Sequence, residues 1–383
     1  MEGQAPETEF ASVPPHPSDS ACRGDEVVQW SATDQAFVVA GHAVARELLK
    51  DRRLILGEVA ATVARLSSRM VDGPLSNLSL LVGTSHPFQN DPAHAPSRAW
   101  FREMLSSLSS QWTEERVAQW IDDRLAALGE DARADAVQLV AEALPESVVA
   151  DAMGLAPAEV HRIGILSRRM SELWAARVHA VRELRLMEAA AAELVEMMGE
   201  KAGPAVRRED YARLVFLVSA GVETTAGALA SGLDTLARNP SLQADLRRQP
   251  DLVTGFAEEI LRLHPPLRRN VARVATEDIV VGGTTIPAGA RIIIDIEKAN
   301  RDATAFAQPD ALDPARAGPP HLAFGGGVHA CVGAALARVE LRAAFARIVA
   351  TFEINPAGGP RLRESRTFRQ YDTLPLRFMR VSR

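Results

Sequence analysis

The sequence predicts a mainly α protein with small β-sheets, and three observations carry that prediction. Residues 113 to 200 are almost entirely helical in pattern, with breaks near Gly129, Pro145, 154 to 157 and 199 to 204. Residues 209 to 239 read as one helix of about 30 residues, roughly 45 Å long at 1.5 Å per residue. Strand-like alternation is confined to short runs, at 26 to 30, at 36 to 40 and within 271 to 296. The last of these is punctuated by Gly-Gly and Pro-Ala-Gly turns.

Length and composition set outer bounds. A chain of 383 residues fits two or three domains by length alone and is ample for a large core. The mildly acidic net charge of −6 gives no footprint for nucleic acid or an anionic membrane. Two cysteines, Cys22 and Cys331, make no disulfide framework and fit a reducing compartment. The opening residues MEGQAPETEF lack the basic start and apolar core of a signal peptide. No apolar run approaches a membrane span, the longest, 214 to 221, being soon broken by Glu223. These features predict a soluble, cytoplasmic protein with no nucleic-acid or membrane partner. Residues 1 to 24, with four prolines among small polar residues, are expected to form a flexible leader in which Cys22 is a bystander.

Taken in order, the two first strand-like runs lead into a helix opened by Gly41 and His42. Residues 54 to 90 read as irregular, with Gly57, Gly73, Pro74, Gly83 and Pro87. A loop that long inside a compact domain is functional or disordered. His94 and Arg98 are four apart and share a helical face, and both can donate to carboxylates. Pro96 between them places the start of the regular helix near itself. Residues 158 to 198 are rich in Ala, Glu, Leu and Arg and read as two helices. The long helix 209 to 239 has acidic residues at its start and Asn239-Pro240 at its end. Its middle, AGVETTAG, is polar, and buried polar groups are costly unless paired. There Ala220 and Thr224 share one face while Glu223 points about 100° away. Threonine in such a place can bond the carbonyl one turn back. Glu259 and Arg262, three apart, are spaced for an ion pair. Residues 366 to 378, RTFRQYDTLPLRF, read as a closing hairpin.

The most informative stretch is HLAFGGGVHACVGAALARVELR, 321 to 342. Phe324 precedes three glycines, which permit backbone angles and close approaches that a Cβ would forbid. His329, Cys331 and Gly333 follow, and from Val332 onward the residues are mostly good helix formers. Cys331 is therefore placed at a helix N-terminus, where the dipole and free N–H groups stabilise a thiolate. A lone cysteine is more often a buried structural thiol. Here the order Phe-Gly-x-Gly-x-His-x-Cys-x-Gly, followed by Leu336-Ala337-Arg338, resembles the haem-binding loop of the cytochromes P450. The resemblance runs from about Val27 to Phe378.

That resemblance implies a single triangular fold with a long central helix over a buried haem. It makes residues 25 to 383 one haem-binding monooxygenase domain, because one cofactor is gripped from His94 to Cys331. The implied cofactor is haem b, iron protoporphyrin IX, with the Cys331 thiolate as axial ligand. His94, Arg98, Arg273 and His329 then meet the propionates, and Ala220, Phe324, Gly325 and Gly333 line the cofactor. Glu223 and Thr224 become the oxygen-activating pair, with Thr224 bonding dioxygen and Glu223 linking it to solvent protons. Glu259, Arg262 and Arg316 hold the fold. The 54 to 90 region covers the substrate pocket and the two helices of 158 to 198 roof it. The link from 199 to 209 is short for the family, which questions a small helix there and leaves the roof more open.

The function so implied is insertion of one oxygen atom of O₂ into a small organic substrate, in natural-product biosynthesis. Electrons come from a ferredoxin and ferredoxin reductase. Arg338 and Arg342, with Arg102, are the expected docking face for an acidic ferredoxin. Oxidative coupling of aromatic groups in a peptide or amino-acid-derived substrate is the alternative, and a non-catalytic haem sensor is a second. Retention of Glu223 and Thr224 argues against a sensor and against a peroxide-driven relative. Arg268 and Arg269 stand beside the expected pocket, and a buried arginine needs a partner. Either Glu297 or Asp295 supplies it, or a polar, short-peptide substrate does.

Overall fold

The computed structural model describes residues 27–56, 58–70, 73–169, 181–202 and 207–381. The expected leader and Cys22 lie outside them. β1 (Val28–Ser31) and β2 (Ala36–Val39) form an antiparallel hairpin followed by α1 (His42–Leu48), as expected. After β3 (Leu54–Ile55) the chain departs from the expected irregular stretch. It forms α2 (Glu58–Ser67) and α3 (Ser76–Thr84), then a short turn of helix at His86–Phe88. Val59 and Val63, then Leu78, Leu81 and Val82, recur at helical spacing and enter a common core. The glycines and prolines that suggested a loop sit mostly at element ends, with Gly73 at φ +101° in the link.

α4 (His94–Gln111) starts two residues before Pro96. Proline is tolerated there because the first helical N–H groups lack acceptors in any case. α5 (Glu114–Leu125) is capped by Thr113. β4 (Asp131–Asp135) corrects the all-helical expectation for 113 to 200. Its sequence, DARAD, carries no strand signal, and pairing with a C-terminal strand imposes the extended state. One π-helical turn precedes α6 (Ala143–Met153), which contains Pro145 in its first turn instead of breaking there. Gly154, left-handed at φ +61°, ends α6, and Pro157 opens α7 (Pro157–Arg168). α8 (Val181–Ala202) runs through Gly199, and α9 (Arg208–Ala237) begins after the short link.

α9 is the 30-residue central helix. Against expectation it is long and apolar enough to cross a membrane, but most of its apolar stretch is buried inside the protein. It packs against α3, α6, α7 and α8 and also against α11 (Leu252–Leu263) and α13 (Ala334–Thr351). Its first half joins the core made with α2, α3 and α6 to α8. Its second half joins the core made with α4, α5, α10 (Pro240–Arg248), α11 and α13. The polar run at 220 to 225 therefore lies at the seam between two apolar clusters.

The predicted strands of 271 to 296 are β5 (Arg273–Ala275), β6 (Ile279–Val281), β7 (Thr284–Ile286) and β8 (Arg291–Ile294), followed by α12 (Ile296–Ala299). The main sheet has the order β1-β2-β8-β5-β3. β9 (Phe352–Pro356), β10 (Arg361–Leu362), β11 (Tyr371–Thr373) and β12 (Pro375–Arg380) complete the chain. The expected closing hairpin is not one: β11 pairs with β10, while β12 lies between β4 and β9. The strands pair with distant segments because Leu376 and Phe378 enter the main core there.

Glu259 and Arg262 pair as predicted, at 2.6 and 2.8 Å, and Arg316 joins at 3.1 Å from Glu259. Arg262, 2% exposed, also donates to the carbonyls of Asn300, Pro309 and Ala311. It therefore ties α11 to the segment that leads into the glycine-rich loop. Arg262→Leu removes its bonds to all three carbonyls, of which Ala311 keeps Arg316 as a donor, and half of the Glu259 interactions. The expected cost is about 3–5 kcal/mol, the scale of breaking a buried pair, read from the urea unfolding midpoint.

Candidate active site

The site is built on the loop between α12 and α13. α13 begins at Ala334, two residues after the run of helix formers begins, with Gly333 as its N-cap. Gly327 has φ +67°, and a Cβ there would lie 2.6 Å from the Leu49 carbonyl oxygen. The Cys331 N–H donates to the Phe324 carbonyl at 2.9 Å, and Arg98 Nη1 donates to the Ala330 carbonyl at 2.7 Å. Cys331 is an exposed residue, yet protein surrounds its thiol closely. Burial raises the thiol pKa, against the N–H groups of Gly333 and Ala334 and the charges of Arg98 and Arg338. The helix start thus does not by itself yield the thiolate expected from sequence. Coordination to a metal ion does, since it deprotonates a thiol outright.

Phe324 lies under the Arg338 guanidinium, 4.5 Å from the ring centroid. Arg338 and His321 both bind Glu258, at 2.7 and 3.1 Å. Burial opposes its charge, but these two partners hold the Glu258 carboxyl down to about 2. Glu258 and His321 were missed in the sequence. The only signal was a Glu-Glu pair of which one member already had a role.

Four predicted residues converge beside the cysteine. The His94 and His329 rings are 4.2 Å apart, with His94 Nε2 and His329 Nδ1 buried and without hydrogen-bond partners. Burial, then His94, Arg273 and Arg98, lowers the His329 pKa to about 3. Arg273 opens β5, donates to the carbonyls of Leu48 and Leu49, and is lowered to about 10 by burial. Among the described residues no carboxylate forms an ion pair with His94, Arg98, Arg273 or His329. Such a set of donors suits a group bearing several anionic oxygens, and the two carboxylates of a haem meet that description. His86, in the stretch read as irregular, adds a further buried imidazole whose Nδ1 has no partner. A chain of rings runs from Phe216 on α9 through His86 (5.6 Å) to His94 (6.1 Å) and on to His329.

On α9, Thr224 Oγ1 donates to the Ala220 carbonyl at 2.6 Å, the predicted backbone bond. Glu223 points elsewhere and lines a cavity of about 20 Å³ with Glu142, Arg168, Arg363 and Gln370. That is room for one water. Gln370 Nε2 donates to Glu223 Oε2 at 3.0 Å, while Oε1 has no hydrogen-bond partner and lies 3.9 Å from Arg168 Nε. Gly227 makes this possible, since a Cβ there would meet the Arg369 carbonyl oxygen at 2.4 Å and push the Gln370 segment away. Burial raises Glu223 to about 7 against the pull of Arg168, Gln370 and Arg363.

Four of the arginines singled out in the sequence have acidic partners. Arg268 pairs with Glu297 at 2.6 Å, and Arg269 with Asp34 at 3.2 Å and Asp295 at 3.3 Å. Internal acids satisfy both arginines, so neither argues for a polar or peptide substrate. Arg338 is held by Glu258, and Arg342 pairs with Glu114 at 2.6 Å. The expected docking face thus has its arginines already engaged, leaving the exposed Arg102.

Comparison with known proteins follows the same line. The family model described as Cytochrome P450 matches residues 180–372. Pentalenic acid synthase of Streptomyces avermitilis is 32% identical over 349 residues, 87% of this chain and 85% of that protein. The chain belongs to the cytochrome P450 family. Nocardicin C N-oxygenase of Nocardia uniformis subsp. tsuyamanensis is 34% identical over 284 residues, 68% of this chain and 70% of that protein. The crystal structure of CalO2 superposes with a TM-score of 0.80 at 25% identity, covering 93% of each chain. This cytochrome P450 is an oxidoreductase, and its cofactor is haem b with the Cys331 thiolate as axial ligand. The alternative of a non-catalytic sensor falls away, since relatives are named as synthases, hydroxylases and oxygenases.

Nine residues beyond Cys331, Glu340 is buried with Oε2 unpartnered, and burial raises its pKa to about 8. Between its ordinary value and about 8 the folded state holds a proton that the unfolded state has lost. Stability therefore falls as pH rises through that window. Glu340→Gln removes this slope, so the variant should gain thermal stability over the parent at pH 8 and little at pH 5. Parallel melting-temperature profiles for the two would refute the assignment.

Proposed function

We propose that this cytochrome P450 monooxygenates a small organic molecule of bacterial secondary metabolism, in the cytoplasm, as one domain spanning residues 25 to 383. The observation that carries the reading is the Glu223–Thr224 pair at the seam of the core, with Glu223 lining a water-sized cavity. When bound, the haem activates O₂ and oxidises the substrate, and thiolate ligation, a known property of this family, favours O–O cleavage. Cys331 would supply the sulfur ligand, His94, Arg98, Arg273 and His329 would hold the carboxylates of the haem, and Ala220, Phe324, Gly325 and Gly333 would shape the space for it. Thr224 presents its hydroxyl toward the reacting face. Glu223, with a pKa of about 7, suits proton exchange near neutrality. Its unpartnered Oε1 takes up a proton from the cavity side and passes it toward Thr224 Oγ1.

Electrons come from a ferredoxin and its reductase, with Arg102 the remaining exposed arginine of the expected docking set. The paired state of Arg268 and Arg269 leaves no feature favouring oxidative coupling of a peptide over simple oxygenation.

The ferrous carbon monoxide adduct should show the strongly red-shifted Soret band of thiolate ligation, and Cys331→Ala should lose it. A normal band in Cys331→Ala would end this reading. Thr224→Ala and Glu223→Gln should still bind substrate and consume reductant, while product falls and hydrogen peroxide rises. Unchanged coupling of electrons to product in both variants removes the pair from this role.

A further inference from the structure

We propose that His86 is a further member of the set that holds the haem carboxylates, supplying a neutral imidazole beside His94 and His329. This role rests on the reading of the donor cluster as the place of those carboxylates. It adds to the cluster a residue from the turn after α3, which the sequence did not single out.

His86 opens that short helical turn and is 6% exposed. Ser85 Oγ donates to the Leu81 carbonyl at 2.6 Å, and Ser97 Oγ on α4 donates to the Thr84 carbonyl at 3.2 Å. Pro87 restricts the next backbone angle. The turn is thus tied to α3 on one side and, on the other, to α4, the helix that carries His94 and Arg98. Phe101 at 4.8 Å and Phe216 at 5.6 Å face the imidazole with carbon, and neither offers it a conventional hydrogen bond. His94 lies 6.1 Å away, and His329 lies 4.2 Å beyond that.

Each of these three imidazoles has one buried nitrogen without a partner: His86 Nδ1, His94 Nε2 and His329 Nδ1. Buried polar groups are normally paired, and each exception calls for a missing partner. Three exceptions in one row of rings, brought together from three segments of the chain, call for one partner with several acceptor atoms. The two carboxylates of a haem offer four oxygens.

Charge explains why the additional group is a histidine. Burial, then Arg98, His94 and His329, lowers the His86 pKa to about 3. The imidazole is therefore neutral at working pH and has one N–H to donate. Arg98 and Arg273 already bring two positive charges, which match the two carboxylates. Their Nη1 groups are taken by the carbonyls of Ala330, Leu48 and Leu49. A further buried cation would lack a counter-charge and be costly. A neutral N–H fills an oxygen lone pair without adding charge.

The test follows haem release from the tag-free holoenzyme to excess apomyoglobin, with His86→Phe and His86→Asn beside the parent. Phenylalanine keeps an aromatic ring and removes both nitrogens. Asparagine sets an amide at about the position of Nδ1 and keeps a donor. His86→Phe should release haem about ten- to a hundredfold faster, the scale of one hydrogen bond to a charged group. His86→Asn should recover most of that loss. The propionate bending bands of the resonance Raman spectrum should shift in His86→Phe and return toward the parent in His86→Asn. If His86→Phe does not load haem, His86→Leu takes its place. Release unchanged on removal of the nitrogens overturns the role. Release equally fast in both variants, with the propionate bands unmoved, also overturns it, because it leaves only packing. Imidazole titration of the ferric iron reads the pocket side. Altered imidazole affinity with unaltered haem release would move His86 from the carboxylates to the pocket and overturn the role as well. Turnover enters none of these measurements, so a failure here and a failure of the monooxygenase reading are told apart.

Discussion

The structure depends on a set of buried hydrogen-bond donors, two of them arginine cations, that no carboxylate pairs with among the described residues. His94, Arg273 and the partly buried Arg98 and His329 surround the approach to Cys331, and burial pushes the pKa of each downward. Buried charge without a partner costs several kcal/mol per ion. An anionic cofactor is the group that offsets the cost, so much of the stability of this region is tied to loading. The donors come from α4, β5 and the loop before α13, which are far apart in the chain. An anionic group held by these donors ties sheet and helices together at one place.

Adjacent residues on α11 divide the work of holding the loop. Glu259 faces Arg262 and Arg316 and fixes the segment that leads into the loop. Glu258 faces the loop itself, binding His321 at its start and Arg338 just beyond its cysteine. Arg338 in turn lies over Phe324. A chain of charge thus runs from α11 to the aromatic ring whose carbonyl accepts the Cys331 N–H. The cysteine is positioned by backbone bonds, and those bonds are held by carboxylates one element away.

What was legible in the sequence follows from how local each signal is. The Cys331 loop, the α9 run and Glu259 with Arg262 could be read because each is a short pattern with its own geometry. β4 could not, because DARAD becomes a strand only when β12 lies beside it. α2 and α3 were hidden by glycines and prolines that fall mostly at their ends. The partners of Glu223 were invisible for another reason. Glu142, Arg168, Arg363 and Gln370 come from four places in the chain, and only the close approach at Gly227 brings the last of them in. Arg269 was ambiguous for the same reason, since Asp34, one of its two acidic partners, lies 235 residues away.

The position of Glu223 resolves a conflict built into the long helix. An apolar helix that joins two cores gains nothing from a central carboxylate, and burial holds that carboxyl near pKa 7. The same burial makes it useful. An exposed glutamate would sit ionised at neutral pH and release protons poorly. A glutamate firmly paired to arginine would be ionised more completely still. Here Gln370 bonds one oxygen while Arg168, engaged by Glu142, stops 3.9 Å from the other. The acid is held in place without being fixed in one protonation state. Burial is the main reason the Glu223 pKa stands above that of an ordinary glutamate, and the pull of Arg168, itself bonded to Glu142, only partly offsets it.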